Sequence, residues 1–253
     1  MLEVAAETPY DLKFQIFRIP VRVHPLFWVV TACMGWGGKD YQFTLIWMAA
    51  VFVSILVHEF GHGLISRRFG AQPSILLQSM GGLCTSTGGQ STSERILVIL
   101  AGPAAGLAFF LLIITGCNLA VGMTLREAFA LEQWGNPLQI MQAYRRIGQL
   151  GSPIVINAVL DLIHINLYWS LFNLVPIYPL DGGQLLETVL VRGYRTSAVR
   201  WTYIVGIALS AGLAVYRFQT SGQSILIFFL LYLAFYNYQM LQSISGRGFD
   251  RWN

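Results

Sequence analysis

"VFVSILVHEFGHGLISRRFG", residues 51–70, decides how the rest of the chain is read. An apolar run over 43–57 leads straight into His58, Glu59 and His62. Charged side chains cost roughly 2.5–3.5 kcal/mol each near the centre of a bilayer, so a membrane helix that carries them needs a reason. On an α-helix, positions i and i+4 lie about 40° apart around the axis. His58 and His62 can therefore reach one ion, and Glu59 is placed to act on a water bound to it. The plainer alternative is a pair of polar-face histidines bonded to neighbours at a helix end. Inside an apolar span, polar groups favour the functional reading.

The 253 residues are 55% hydrophobic and 11% charged, against about 25% charged in ordinary soluble domains. The expected fold is a single membrane-embedded domain, 1–253, of the all-α polytopic class, since no polar stretch is long enough to form a second. The net charge of +4 is scattered between apolar runs. That pattern argues against a nucleic-acid partner and suits a lipid surface. The opening residues lack the apolar core of a cleavable signal peptide, so insertion is expected to rest on the internal spans. Cys33, Cys84 and Cys117 are widely spaced, form no C-x-x-C pair and read as small apolar fillers.

About six transmembrane helices are expected. Residues 1–23 hold a surface strand, in which "LKFQIFRIPVRV" (12–23) alternates loosely with period two. Spans one and two occupy 24–66; the first, 24–36, is short, whereas 43–66 at 1.5 Å per residue reaches about 36 Å. Residues 71–90 read as a short membrane-associated β-hairpin between spans two and three. Span three, 96–119, opens after the capping-box spacing of "STSE" (91–94), and its Gly102, Pro103 and Gly106 read first as close helix packing. Interfacial helices are expected over 120–152, one of them starting at the Thr124/Glu127 capping box. Span four (153–175), a short helix (184–191) and spans five and six (within 201–241, the sixth from Ser224) complete the chain.

Within these spans, Asn166 lies near the helical stripe of Asn173 and is a cavity-lining candidate. Asp161 and His164, three residues apart, can pair with each other; His24 reads as a helix start before Pro25. The aromatics of "FFLLYLAFYNY" (228–238) read as lipid-facing and interface anchors. Six spans place eleven of the sixteen Lys and Arg on the side of the two termini. The positive-inside rule then puts both termini in the cytoplasm.

A catalytic zinc takes three protein ligands and keeps one position open, so HEFGH needs a third. "NLVPIYPLDGG" (173–183) offers Asp181, whose plain alternative is the N-cap of the helix that follows. Spans two and four run in the same direction, so His58, about 23 Å along span two, and Asp181 are expected at the same membrane depth. Pro176 and Pro179 force irregular backbone there, which a membrane tolerates only where protein or a water-filled cavity surrounds it.

H-E-F-G-H in one span, with N-x-x-P-x-x-P-L-D-G-G after a later one, resembles the site-2 protease family of intramembrane zinc metalloproteases. The resemblance extends to "VHP" (23–25), "QSMGGLCTST" (78–87) and "AGPAAG" (101–106), and so covers most of the chain. It implies one Zn2+ per chain held by His58, His62 and Asp181, with Glu59 as catalytic acid and base and Asn173 as a polar partner near the attacked carbonyl. Relatives often carry an asparagine where this chain has Gly106. Many add PDZ or CBS domains, and this sequence resembles a minimal core without them.

The expected activity is hydrolysis of peptide bonds within or near transmembrane segments of other membrane proteins, that is, regulated intramembrane proteolysis. The partners are membrane-protein substrates and the lipid bilayer; a second copy of the chain or an adaptor stays open. The expected location is the cytoplasmic membrane of a prokaryote, as a multi-pass integral protein. A helical substrate hides its carbonyls and must unwind, and the 71–90 hairpin is expected either to offer it a strand edge near 75–78 or to plug the cavity. Two rivals stand beside this reading. A catalytically silent scaffold would have no need of Glu59, and a zinc transporter or sensor would carry ligands deep on several spans.

Overall fold

The computed structural model describes residues 5–36, 40–79, 81–132, 134–194, 199–221 and 225–249. Lys39, Arg195 and Arg251, counted for orientation, and Ser224 at the expected start of span six lie outside the described residues, as do both chain termini. The chain forms two compact units. One comprises the described residues of Glu3–Gly89 with Ala101–Ser170; the other comprises those of Gln90–Leu100 with Leu171–Asn253.

The first unit begins with a sheet where a single surface strand was expected. β1 (Leu12–Ile16) and β2 (Ile19–Val23) pair antiparallel around Phe17 and Arg18. Both turn residues have positive φ, 50° and 58°, a conformation usually left to Asn and Gly in two-residue hairpin turns. Tertiary contacts hold the turn: the Phe17 ring meets Phe60 edge-on at 6.0 Å, and Arg67 donates to the Phe17 carbonyl. Neither contact leaves a turn signature in the local sequence, so the hairpin was invisible there.

β2 then pairs parallel with β3 (Gln72–Gln78), Val21 opposite Ile75, and β3 pairs antiparallel with β4 (Gly81–Thr87). The strand order is β1-β2-β3-β4, so the expected 71–90 hairpin exists as half of a four-stranded sheet. Residues 75–78 lie on an interior strand, which corrects the expectation of an edge there; the edges are β1 and β4. Because 12–23 and 72–87 share one sheet, the segment before α1 and the segment after α2 lie on one side of the α1–α2 pair. Period-two burial of Ile19, Val21 and Val23 lays the sheet against Ile55, Leu56 and Phe60.

α1 (Pro25–Gly35) is capped by His24, whose Nδ1 accepts from the Leu26 N–H, as its position before Pro25 suggested. Its 11 residues rise about 16 Å, short of the roughly 30 Å of a hydrocarbon core. It starts where β2 leaves the sheet, with the His24 N–H on the Leu77 carbonyl at 2.8 Å. Among the described residues, four helices are long and apolar enough to cross a membrane: α2 (Tyr41–Arg68), α3 (Thr92–Val121), α6 (Pro153–Asn173) and α8 (Val199–Ser221). Leu112, Leu119, Phe218 and Phe228 are exposed, as lipid-facing side chains are.

Between α3 and α6, α4 (Leu125–Leu131) and α5 (Pro137–Ile147) both start with complete capping boxes, Thr124/Glu127 and Asn136/Gln139. Only the first was foreseen. Cys117 is buried in the core that joins α3 to these helices and to α6, as expected of a filler. Cys33 is exposed, so its surroundings are not those of a core filler. His164 does not pair with Asp161: its Nδ1 lies 2.8 Å from Glu132 Oε2, a partner 32 residues away that helix periodicity could not supply.

The second unit holds the first turns of α3, the end of α6, α7 (Asp181–Tyr194), α8 and α9 (Ile225–Phe249). Ser91 and Glu94 cap α3 reciprocally, as the sequence spacing suggested. α9 has 25 residues, but its second half is rich in polar groups ("YNYQMLQS", 236–243). Of the aromatics of 228–238 read as lipid-facing, Phe228, Tyr232, Phe235 and Tyr238 are exposed, as that reading requires, whereas Tyr236 is buried, as are Leu230, Leu233 and Asn237 beside it.

Candidate metal centre

α2 carries His58, Glu59 and His62 where its flank against the sheet and α3 is closed off; all three are buried. The i, i+4 spacing works as helix geometry requires. The two Nε2 atoms lie 3.1 Å apart and the rings meet edge-on at 4.8 Å. Two imidazole nitrogens about 2.0–2.1 Å from one tetrahedral zinc stand about 3.3–3.4 Å apart, so this pair fits the ion with little adjustment. One ligand atom from each of His58, Glu59 and His62 falls within 4.8 Å of the others, a grouping found once among the described residues.

Two glycines make the room. A Cβ at Gly102 of α3 would sit 2.8 Å from His58 Nε2 and closer still to His62 Nε2. Both nitrogens therefore open onto a cradle that any side chain at 102 would fill. A Cβ at Gly82 of β4 would sit 2.5 Å from the Glu59 carboxyl carbon, so the edge strand passes directly over the carboxylate. Sequence reading saw Gly102 as helix packing and Gly82 as hairpin composition. What each glycine packs on is a long-range fact. Gly106 faces the hydroxyl of Ser170 on α6, which any side chain at 106 would displace.

Asn166 is buried and donates to Ser54 Oγ at 2.8 Å and to the Leu162 carbonyl. It ties α6 to α2 one turn before His58, which gives the cavity-lining candidate a structural role. Burial pushes the Cys84 thiol up to about 12, with the Glu59 carboxylate adding to the effect.

Asn173 and Asp181 belong to the other unit, and both are buried there. Asn173 ends α6, and Asp181 is the first residue of α7 rather than the residue before it. Its carboxylate stands in the first turn, at the positive end of the helix dipole. The two glycines after it have a packing reason: a Cβ at Gly182 would run into the Leu174 carbonyl, and one at Gly183 would lie 2.6 Å from the Ile177 carbonyl oxygen. The structure brings His58, Glu59 and His62 together. The assignment of Asp181 and Asn173 to the same chemistry continues to rest on their motif.

Comparison with known proteins agrees with this geometry. The chain adopts the fold of the site-2 protease from Methanocaldococcus jannaschii, with a TM-score of 0.59 over 92% of this chain and 95% of that one, at 20% identity. It is 26% identical over 190 residues to a protein of the same organism named a zinc metalloprotease, covering 73% of this chain and 47% of the relative. A Synechocystis protein, provisionally named a zinc metalloprotease, is 29% identical over 191 residues, 69% of this chain and 42% of its own length. The chain thus spans less than half the length of these curated relatives. The family model described as peptidase family M50 matches residues 46–215. With HEFGH inside that span and its histidines converging under Gly102, the chain belongs to peptidase family M50.

Proposed function

We propose that this chain is an intramembrane zinc endopeptidase that cuts other membrane proteins within or near their transmembrane segments. The observation that carries the proposal is the buried His58–His62 pair opening onto the Gly102 cradle, with Glu59 beside it. Neither a scaffold nor an ordinary helix contact has use for that combination. His58 and His62 would hold the ion, with Asp181 as third ligand on the strength of its motif. When bound, zinc supplies Lewis acidity and draws the pKa of a coordinated water toward about 7.

Glu59 accepts the proton of the attacking water and passes it to the departing amine. His58, Glu59 and His62 are buried, and the lower effective dielectric of such a setting strengthens each of these interactions. Asn173 stabilises the charge that develops on the attacked carbonyl oxygen. An unwound substrate strand pairs with β4, the sheet edge whose Gly82 lies over Glu59, and so brings its own backbone to the carboxylate. Proline substitutions along Leu83–Ser86 should then slow cleavage without releasing zinc.

On this reading the membrane spans are α1, α2, α3, α6, α8 and α9, six in all. Both termini lie in the cytoplasm, and the membrane is the cytoplasmic membrane of a prokaryote. The test is cleavage of a model transmembrane substrate in liposomes, wild type against Glu59→Gln. Loss of the general acid–base should slow turnover about 10²–10⁴-fold while zinc content stays at one per chain. Equal cutting by both proteins, or no cutting by a fully zinc-loaded wild type, would end the proposal.

A further inference from the structure

The loop that ends in Asp181 is held from α9. Residues 174–180 leave the helix at Pro176 and Pro179, so their carbonyls cannot be satisfied by a regular ladder. At membrane depth each must find a partner within the protein. The Ile177 carbonyl accepts from the Leu180 N–H at 2.8 Å, and the Pro179 carbonyl accepts from Gln184 Nε2 at 3.0 Å. The Tyr178 carbonyl accepts from the side-chain amide of Asn237, which also donates to Leu233 one turn back on its own helix.

Asn237 is fully buried, and it fits because α8 has Gly206 opposite: a Cβ there would lie 2.7 Å from the Asn237 carboxamide carbon. The Tyr178 ring is gripped as well. It stacks on Tyr236, with ring planes 5° apart and centroids 6.2 Å apart, and meets Tyr203 of α8 edge-on at 5.5 Å. Ile177 and Leu180, either side of this anchor, bury against Leu233. Backbone, ring and flanking side chains of the segment three residues ahead of Asp181 are thus all fixed by α8 and α9.

We infer that Asn237 is a positioning residue, setting the register at which α7 begins and hence the place of the Asp181 carboxylate. The inference rests on the reading of Asp181 as a zinc ligand. It gives α8 and α9 a task in the metal site, although neither helix supplies a ligand. Spans five and six thereby become part of the support for the site as well as part of the membrane wall.

The test uses purified full chain in detergent, with Asn237→Leu, Asp181→Ala and the double variant. Zinc affinity is read by chelator competition, and loop order is read by hydrogen exchange of the zinc-free proteins over 177–184. Loss of a supporting residue behind a metal ligand typically weakens metal affinity about 10–100-fold, and Asn237→Leu should do so with faster exchange confined to that loop. In the Asp181→Ala background it should weaken affinity no further.

Gly206→Ala, which displaces the Asn237 amide without removing it, should give the same phenotype and decides the matter if Asn237→Leu does not fold. Unchanged loop exchange in Asn237→Leu and Gly206→Ala, or an equal affinity loss with and without Asp181, overturns the inference. Full zinc affinity in Asp181→Ala would instead refute the ligand assignment on which it rests.

Discussion

Gly102→Ala separates a metal cradle from a helix contact. In a helix interior, replacing Gly by Ala ordinarily stabilises by about 0.5–1 kcal/mol, because alanine gives up less backbone freedom. At position 102 the new methyl would stand 2.8 Å from His58 Nε2, about 0.6 Å inside the 3.4 Å at which ordinary contact begins, and nearer still to His62 Nε2. Metal ligands hold their distances to within about 0.2 Å. The histidines must therefore retreat by some three times that tolerance, and away from the point on which both nitrogens converge. The helix itself has no reason to fail. The expected outcome is a protein that still folds cooperatively in the zinc-free state, the gain in helix propensity offsetting part of the cost of one extra buried methyl, and that has lost at least about 100-fold in zinc affinity together with its peptidase activity. Zinc content after chelator titration and the melting curve of the apo-protein are the two measurements. Wild-type zinc affinity in Gly102→Ala would refute the reasoning, because it would mean that the ion does not sit where the histidine nitrogens point.

Three further outcomes follow from the same structure. Gly82→Ala places a methyl 2.5 Å from the Glu59 carboxyl carbon; since misplacing a catalytic group by about 1 Å can cost 10²-fold, turnover should fall on that scale while zinc content stays at one per chain. Asp11 tests pH dependence: a hydrogen bond from the Thr8 hydroxyl, opposed by burial and aided by Arg22, holds its carboxyl down at about 2 against an ordinary 3.8. A depressed pKa contributes stability above 3.8 that is lost as pH falls toward 2, so pepsin should cut the β1–β2 hairpin increasingly across that window, and Asp11→Asn should remove the dependence. Asn166→Leu deletes the tie to Ser54 on α2; hydrogen bonds between membrane helices average about 0.6 kcal/mol, so unfolding in mixed micelles should shift by that modest amount, and Ser54→Ala should add little to it.

Much of this was legible in the chain because it depends on short distances along it. The i, i+4 geometry of His58 and His62 follows from helix periodicity alone, and the mean composition places that helix in lipid. The capping boxes at Ser91 and Thr124 are reciprocal bonds across three residues, and both formed as their spacing suggested. The prolines of 173–183 announced irregular backbone for a reason internal to proline. Each of these is a local rule, and in this chain no distant contact overturned it.

What the tertiary structure decided lies in contacts between residues far apart in sequence. The Phe17–Arg18 turn exists because Phe60 and Arg67 hold two side chains at positive φ, so no turn motif could reveal it. Residues 75–78 became interior when β2 paired with β3, which moved the available edge to β4 and laid Gly82 over Glu59. His164 found Glu132 rather than its helical neighbour Asp161, and Asn237, among aromatics that read as lipid-facing, was turned inward to hold Tyr178. Periodicity determines which residues share a face of one helix. Which face meets which, and whether a glycine there is spacing or cradle, is settled only when the elements pack.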